Sequence, residues 1–392
     1  MNNIEKRILK TAEDLKPYIV DKRRDFHMYP ELKYEEKRTS EIVYKELTSL
    51  GYEIKKVAGT GIIGTLRLKG KGSKTIALRA DMDALPINEA TGKSYTSKIE
   101  GKMHACGHDG HIAMLLGAAK ILSSMRENLN GTIKLVFQPA EEGGWGAEKV
   151  VNSGFLDNVD AVFGMHLWAD LPSGVIGVKQ GTLMASVDSF KINIKGKGGH
   201  AAEPEKTFDP IVVLVDMVNA YQKIISREIS TFEPAILSIT SIDSGKTFNV
   251  VPENAYMSGT VRAVNLDIRN FIIKRMEEIT KGYAKAMKCD AKFEIFAKPA
   301  LPVINDESLV LFAKSILPIM GNVIEPKITM IGEDFSFYAK KAKTLFLFLG
   351  VRNEDKEIVF PHHHPKFDID EDILDKGAAI YSLFAYRYLK DF

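Results

Sequence analysis

Short continuous apolar runs alternate with helix-spaced segments through the first 180 or so residues, and that alternation admits few architectures. KTIALRAD at 74–81, GTIKLVFQP at 131–139 and AVFGMHL at 161–167 read as strands, the last apolar enough to be covered on both faces. HIAMLLGAAKILSSM at 111–125 reads as a helix between two of them. Ahead of these lie helix-spaced apolar positions at 4–16 and 35–50, the second ended by Gly51, and a strand-like TGIIGTLRLKG at 60–70. Strands and helices in this order predict an α/β domain built on a doubly wound, mostly parallel sheet.

Past about Thr182 the texture changes. DSFKINIKGKG alternates as a half-exposed strand, 209–228 reads as a helix, AILSITSIDSG and NAYMSGTVRAV as strands, 267–287 as a helix and 290–298 as a strand. These predict an inserted α+β domain at 184–299, flanked by the two parts of a catalytic domain at 1–183 and 300–392. A chain of 392 residues also exceeds what one core normally supports, about 250–300 residues. Lys and Arg number 53 against 51 Asp and Glu, so no long-range field steers the protein to nucleic acid or an anionic membrane. Cys106 and Cys289 cannot build a disulfide framework, which points to a reducing compartment, the cytoplasm. The start MNNIEKRILK has no apolar core of a signal peptide, and no run of about 18 uncharged apolar residues predicts a membrane span.

Seven of the nine histidines fall in three places: His104, His108 and His111 around Cys106, His166 at the end of a strand-like run, and His362–His364 near the C-terminus. Thiolate, imidazole and carboxylate lone pairs are what zinc and similar borderline cations select. Position strengthens the signal, because Asp81 and Asp83 follow one predicted strand, Glu141 and Glu142 another, and His166 ends a third. Open α/β sheets build their sites in the crevice at such carboxyl ends. Cys106 and His108 precede a helix whose dipole favours a thiolate. Of two adjacent carboxylates, one can hold a cation while the other takes a proton from water, which is the chemistry of hydrolysis. GTGIIG at 59–64 spells a dinucleotide fingerprint, but a strand follows it where a helix is required.

RRDFHMYPEL, RADMDALP, MHACGHDGH, QPAEEGGWGA, GMHLW, GKGGHAAEP, NVVPENA, GTVRA, GEDFSFY and HHHPKFDIDE resemble, in that order, the metallo-amidohydrolase family of aminoacylases, hippurate hydrolases, auxin-conjugate hydrolases and related carboxypeptidases. The likeness covers essentially the whole chain and leans toward the broad-specificity thermostable carboxypeptidases of that group. It implies two divalent metal ions, usually Zn2+ and sometimes Mn2+ or Co2+, in a doubly wound domain with an inserted lid that also dimerises. By resemblance Cys106 is the bridging ligand, with His108, Glu142, His166 and His363 completing the set and Glu141 as general base. His363 is chosen because it stands two residues before Pro365, with His362 and His364 as alternatives. Asp81 occupies the place of a metal-binding histidine in the wider superfamily, so Asp81 and Asp83 are assigned to orienting the ligands by hydrogen bonds. In the inserted domain His200 matches a residue that stabilises the oxyanion, and Asn249 and Arg262 match positions near a substrate carboxylate. His27 matches a family motif without a role attached. The expectation is hydrolysis of N-acyl amino acids or of C-terminal residues of short N-blocked peptides, by a homodimer or higher homo-oligomer. Two rivals remain at this point: a non-catalytic amino-acid or metal binding protein, which predicts a missing base, and an aminopeptidase, which needs a free amino group on its substrate.

Overall fold

The apolar runs Thr132–Gln138, Thr75–Asp81 and Ala161–Pro172 lie side by side as parallel strands, with Lys343–Arg352 as a fourth beyond Ala161–Pro172. This computed structural model describes residues 1–68, 74–297 and 299–392. Gly61–Arg67 and Glu53–Val57 extend the sheet antiparallel on one side, and Ile176–Gly177 and Val323–Ile324 extend it on the other, giving eight strands. The chain leaves Thr75–Asp81, returns through the helix His108–Ser124 to Thr132–Gln138, and then crosses to the opposite side of Thr75–Asp81 to form Ala161–Pro172. The winding direction therefore reverses between Thr75–Asp81 and Ala161–Pro172, the switch point at which such sheets place their ligands. The last two residues of the strand expected at 60–70 lie outside the described residues.

The first helix runs from Asn3 to Met28, well beyond the expected 4–16. Asn2 and Glu5 form a capping box at its start, and Ile19, Arg23, Phe26 and His27 continue the buried face past Pro17. Proline ends many helices, so spacing alone stops there; here packing of the helix against His108–Ser124 and Leu374–Asp391 carries it on.

The core of this unit is continuous, and Phe163 sits at its centre with no exposed surface, stacked on Phe384 at 4.4 Å between ring centroids and edge-on to Tyr381 at 5.4 Å. Phe163→Ala is expected to cost about 3–5 kcal/mol through lost transfer and cavity terms. A thermal melt read by circular dichroism checks it, and a midpoint unchanged within a degree would show that the site collapses around the gap.

Two compact units divide the chain: Met1–Gly181 with Ile304–Pro326 and Phe337–Phe392, and Thr182–Val303 with Lys327–Ser336. The second is a four-stranded antiparallel sheet, ordered Ala235–Ser244, Asn254–Ala263, Ser186–Lys195, Asp290–Ile295. Helices Pro210–Lys223 and Leu266–Ala286 bury one face of it, where Phe190, Ile192, Ile194, Met257 and Val261 meet Val213, Met217, Tyr221, Ile272 and Met276. The helix read at 209–228 ends as a π-helical turn, Ile224–Glu228, and of the strand read at 290–298 residue 298 lies outside the described residues. Lys327–Ser336, counted with the first domain on sequence, goes with this unit because its backbone is paired there. The Ala185 N–H donates to the carbonyls of Thr329 and Ile331, and Thr329 N–H donates to the Leu183 carbonyl. Such pairing between distant segments has no local sequence signal.

Candidate metal centre

Pairing between Thr75–Asp81 and Ala161–Pro172 runs from Ile76↔Ala161 to Arg79↔Gly164 and then stops, although both strands continue. The register puts Asp81 level with His166, at the point where the two strands part. His166 is thus not at the end of its strand, as the sequence suggests, but inside it: the strand runs on to Pro172 because Lys343–Arg352 still pairs with it on the other side. A continuous apolar run gives no sign of where one neighbour lets go.

Cys106 and Gly107 lead into the helix His108–Ser124, and Gly107 takes φ +87°, a turn that costs a glycine nothing. His108 Nδ1 donates to the Asp83 carbonyl at 2.8 Å, which leaves the lone pair on Nε2. That Nε2 is buried and has no hydrogen-bond partner. His166 Nδ1 likewise donates to the Leu167 carbonyl at 2.7 Å and turns Nε2 toward Cys106 Sγ, 3.5 Å away. Glu141 and Glu142 sit on a contorted turn in which Ala140 and Trp145, both non-glycine, have φ of +54° and +58°. The Asp83 carboxylate holds this turn, accepting the N–H of Glu141 on one oxygen and of Glu142 on the other, each at 2.9 Å. From the C-terminal loop His363, itself at φ +64°, brings Nε2 to 3.3 Å from Glu142 Oε1, and its N–H donates to the Ala105 carbonyl at 2.8 Å.

Several overlapping groups have chosen atoms within 4.8 Å of one another, among them Cys106, His108 and His166; Cys106, Glu142 and His363; His108, Glu141 and Glu142; and Asp81, His108 and His111. Cys106 belongs to the first two. A buried imidazole nitrogen that makes no hydrogen bond, with the Asp81 carboxylate 3.6 Å away and a thiol and two glutamates beside it, fits borderline divalent ions. Proximity of Cys106 and then Glu142 pushes His363 up to about 10. Burial, and then Glu142, raises the Cys106 thiol, which a metal ion would reverse by replacing its proton.

His362 and His364 point elsewhere: His362 Nε2 meets the Leu167 carbonyl at 2.9 Å, and His364 stacks on Phe360. His111 is fully committed, Nδ1 against Asp81 Oδ1 at 2.5 Å and Nε2 accepting the Leu167 N–H at 2.9 Å. Asp81 in turn is paired with the buried Arg79 at 2.7 Å. Arg79, Asp81, His111 and the Leu167 amide therefore form a chain that fixes the backbone beside His166. The charge of Arg79 in the middle of TIALRAD was the available signal for it. His104, with neither ring nitrogen hydrogen-bonded, is pushed down to about 4 by burial and joins no donor group among the described residues.

His200, Asn249 and Arg262 belong to the second unit. His200 pairs in a two-residue bridge with Val250, and its Nδ1 accepts the Ala202 N–H at 3.0 Å, so in the neutral ring Nε2 carries the proton. Asn249 is its neighbour through the Ala201 N–H, which donates to the Asn249 carbonyl. Arg262 is half-buried and spends one nitrogen on the Met330 carbonyl at 2.9 Å.

Residues 77–387 match the family model "Peptidase family M20/M25/M40". The chain is 39% identical to the thermostable carboxypeptidase 1 of Saccharolobus solfataricus over 394 residues, covering 99% of each chain. It is 39% identical over 376 residues to the N-acetylcysteine deacetylase of Bacillus subtilis, covering 95% of this chain and 97% of that one. The crystal structure of the Bacillus subtilis YXEP protein, a dinuclear metal binding peptidase from the M20 family, superposes with a TM-score of 0.85 at 35% identity, covering 97% of this chain and 100% of the other.

Proposed function

The chain belongs to peptidase family M20/M25/M40, and on that premise we propose that it hydrolyses the amide bond of N-acyl amino acids, or of C-terminal residues of short N-blocked peptides, at a two-metal centre. The convergence of five metal-type donors and a second glutamate at the switch point of the sheet carries this reading. Cys106, His108, Glu142, His166 and His363 would hold the metals. A thiolate with three imidazoles suits Zn2+ first, and Mn2+ or Co2+ after it. When bound, the ions supply Lewis-acid polarisation of the scissile carbonyl and acidify water. Glu141 takes the proton from the attacking water and returns it to the leaving amine, while Asp83 holds the turn that aims it. Asp81 and Asp83 act through the groups they orient. By resemblance we assign His200, whose Nε2 carries the proton in the neutral ring, to the developing oxyanion, and Asn249 and Arg262 to the substrate carboxylate.

The proposal includes a homodimer formed through the second unit. Its support is the edge strand Ala235–Ser244, with Ile242 exposed, and the loop residues Phe232 and Phe248, each more than 90% exposed. A cytoplasmic location agrees with two free thiols, and among the described residues no helix is long and apolar enough to cross a membrane.

A panel of N-acetyl, N-benzoyl and N-carbobenzoxy amino acids, assayed with added Zn2+, Mn2+ or Co2+, tests the reading. Turnover is expected for the free acids, with kcat/KM lower by about 10- to 100-fold when the carboxylate is amidated, the worth of one or two charge-assisted hydrogen bonds. Equal values for acid and amide would remove the carboxylate from recognition, and cleavage confined to peptides with a free amino group would make the enzyme an aminopeptidase.

A further inference from the structure

Behind the donor cluster, in the same unit, lies a second set of charged groups that the chemistry above does not use. Arg23, on the first helix, has no exposed surface, and its guanidinium reaches three carboxylates from two distant parts of the chain. Nε donates to Asp109 Oδ2 at 2.8 Å, Nη2 to Asp368 Oδ1 at 2.7 Å and Nη1 to Glu371 Oε1 at 3.2 Å. One turn later on the same helix His27 is equally buried, with Nδ1 2.8 Å from Asp109 Oδ2 and Nε2 3.2 Å from Glu89 Oε1. Tyr95 closes the arrangement, its hydroxyl donating to Asp368 Oδ2 at 2.8 Å beneath the Arg23 guanidinium.

What these carboxylates are attached to gives the set its meaning. Asp109 follows His108 directly, and Asp368 stands five residues after His363 in a short loop. Arg23 therefore ties together the two loops that carry Cys106 with His108 and His363. It reinforces the backbone link between them, in which the His363 N–H donates to the Ala105 carbonyl at 2.8 Å. A buried ion network costs desolvation, and replacing it with apolar groups of similar volume often stabilises a fold, so stability alone is a poor reason for it. A planar fork with donors in fixed directions does offer a fixed spacing between two loops, and a lysine or an apolar residue offers none.

We propose that Arg23 and His27 are positioning residues that hold the Cys106–His108 loop and the His363 loop at the separation the metal pair requires, and so set the affinity of the centre for its metals. The proposal rests on the two-metal reading above. It gives His27, in the RRDFHMYPEL motif, a definite role, because together with Arg23 this imidazole fixes Asp109 and hence the first turn of the helix that begins at His108. Loss of groups that orient ligands typically weakens metal binding 10- to 100-fold.

The test compares three variants of the full chain: Arg23→Lys, which keeps the charge but loses the fork, His27→Gln, and Arg269→Lys as control. Arg269 forms a comparable ion pair with the buried Asp188 in the second unit, whereas the five metal donors all belong to the first. Each is melted by circular dichroism and titrated with Zn2+ against a chromophoric chelator. Arg23→Lys and His27→Gln are expected to bind Zn2+ at least tenfold more weakly than wild type, with activity restored by excess metal, whereas Arg269→Lys loses thermal stability and keeps wild-type affinity. Unchanged Zn2+ affinity in folded Arg23→Lys and His27→Gln would overturn the proposal, as would an equal loss of affinity in Arg269→Lys. Wild type that binds no Zn2+ would instead overturn the two-metal reading itself.

Discussion

Glu141→Gln is expected to reduce kcat by about 10²–10⁴-fold or more while the protein keeps its metal content and its melting temperature. An amide cannot accept a proton from water, yet it is nearly isosteric with the acid. The contact that shapes the turn is made by the backbone, since the Glu141 N–H and not its side chain is held by Asp83. The variant should therefore keep the backbone bond that shapes the turn and lose the proton transfer, and substrate should still bind with unchanged KM where binding precedes a slow chemical step. Steady-state kinetics with parallel elemental analysis decide the matter. More than a tenth of the wild-type rate remaining would mean that Glu141 is not the base.

Losing a metal donor is expected to have a comparably large but different effect. In His363→Ala the group of Cys106, Glu142 and His363 falls below three donors, so metal content should drop from two ions per chain toward one. Activity should fall by about 10³-fold, the scale of several kcal/mol of Lewis-acid stabilisation. His362→Ala is the sharper comparison, because His362 Nε2 is engaged by the Leu167 carbonyl and its loss leaves all five donors in place. Elemental analysis of the two variants side by side should give about one ion for the first and two for the second, and the reverse result would move the ligand to His362. Chelation of wild type should inactivate it and lower its melting temperature, both reversed by adding metal back.

The doubly wound sheet was legible because buried parallel strands leave continuous apolar runs and helices leave a 3.6-residue spacing, as TIALRA and HIAMLLGAAKILSSM show. The donor residues were legible because Cys, His and Glu are conspicuous against an apolar background and stood where strands were expected to end. What stayed hidden depends on distant pairing. Nothing local in GEDFSFY assigns Lys327–Ser336 to the second unit, and nothing in AVFGMHLW says that the strand continues past His166. The carboxylate partners of Arg23 are 86, 345 and 348 residues away in the chain, beyond the reach of any spacing rule. The choice of His363 over its neighbours came from resemblance. In the structure His363, on a left-handed backbone, brings its Nε2 near Glu142, while His362 Nε2 meets the Leu167 carbonyl.

The first unit is discontinuous, with Phe337–Phe392 rejoining it after the whole of the second unit has been made. During synthesis the nascent chain exposes Cys106, His108, Glu142 and His166 well before His363 leaves the ribosome. Until then Ala161–Pro172 lacks its partner Lys343–Arg352, and Asp109 lacks one of the loops it will face across Arg23. On the proposed ligand set, the donors come together only once Lys343–Arg352 has docked on Ala161–Pro172 and the loop after it has closed on Ala105.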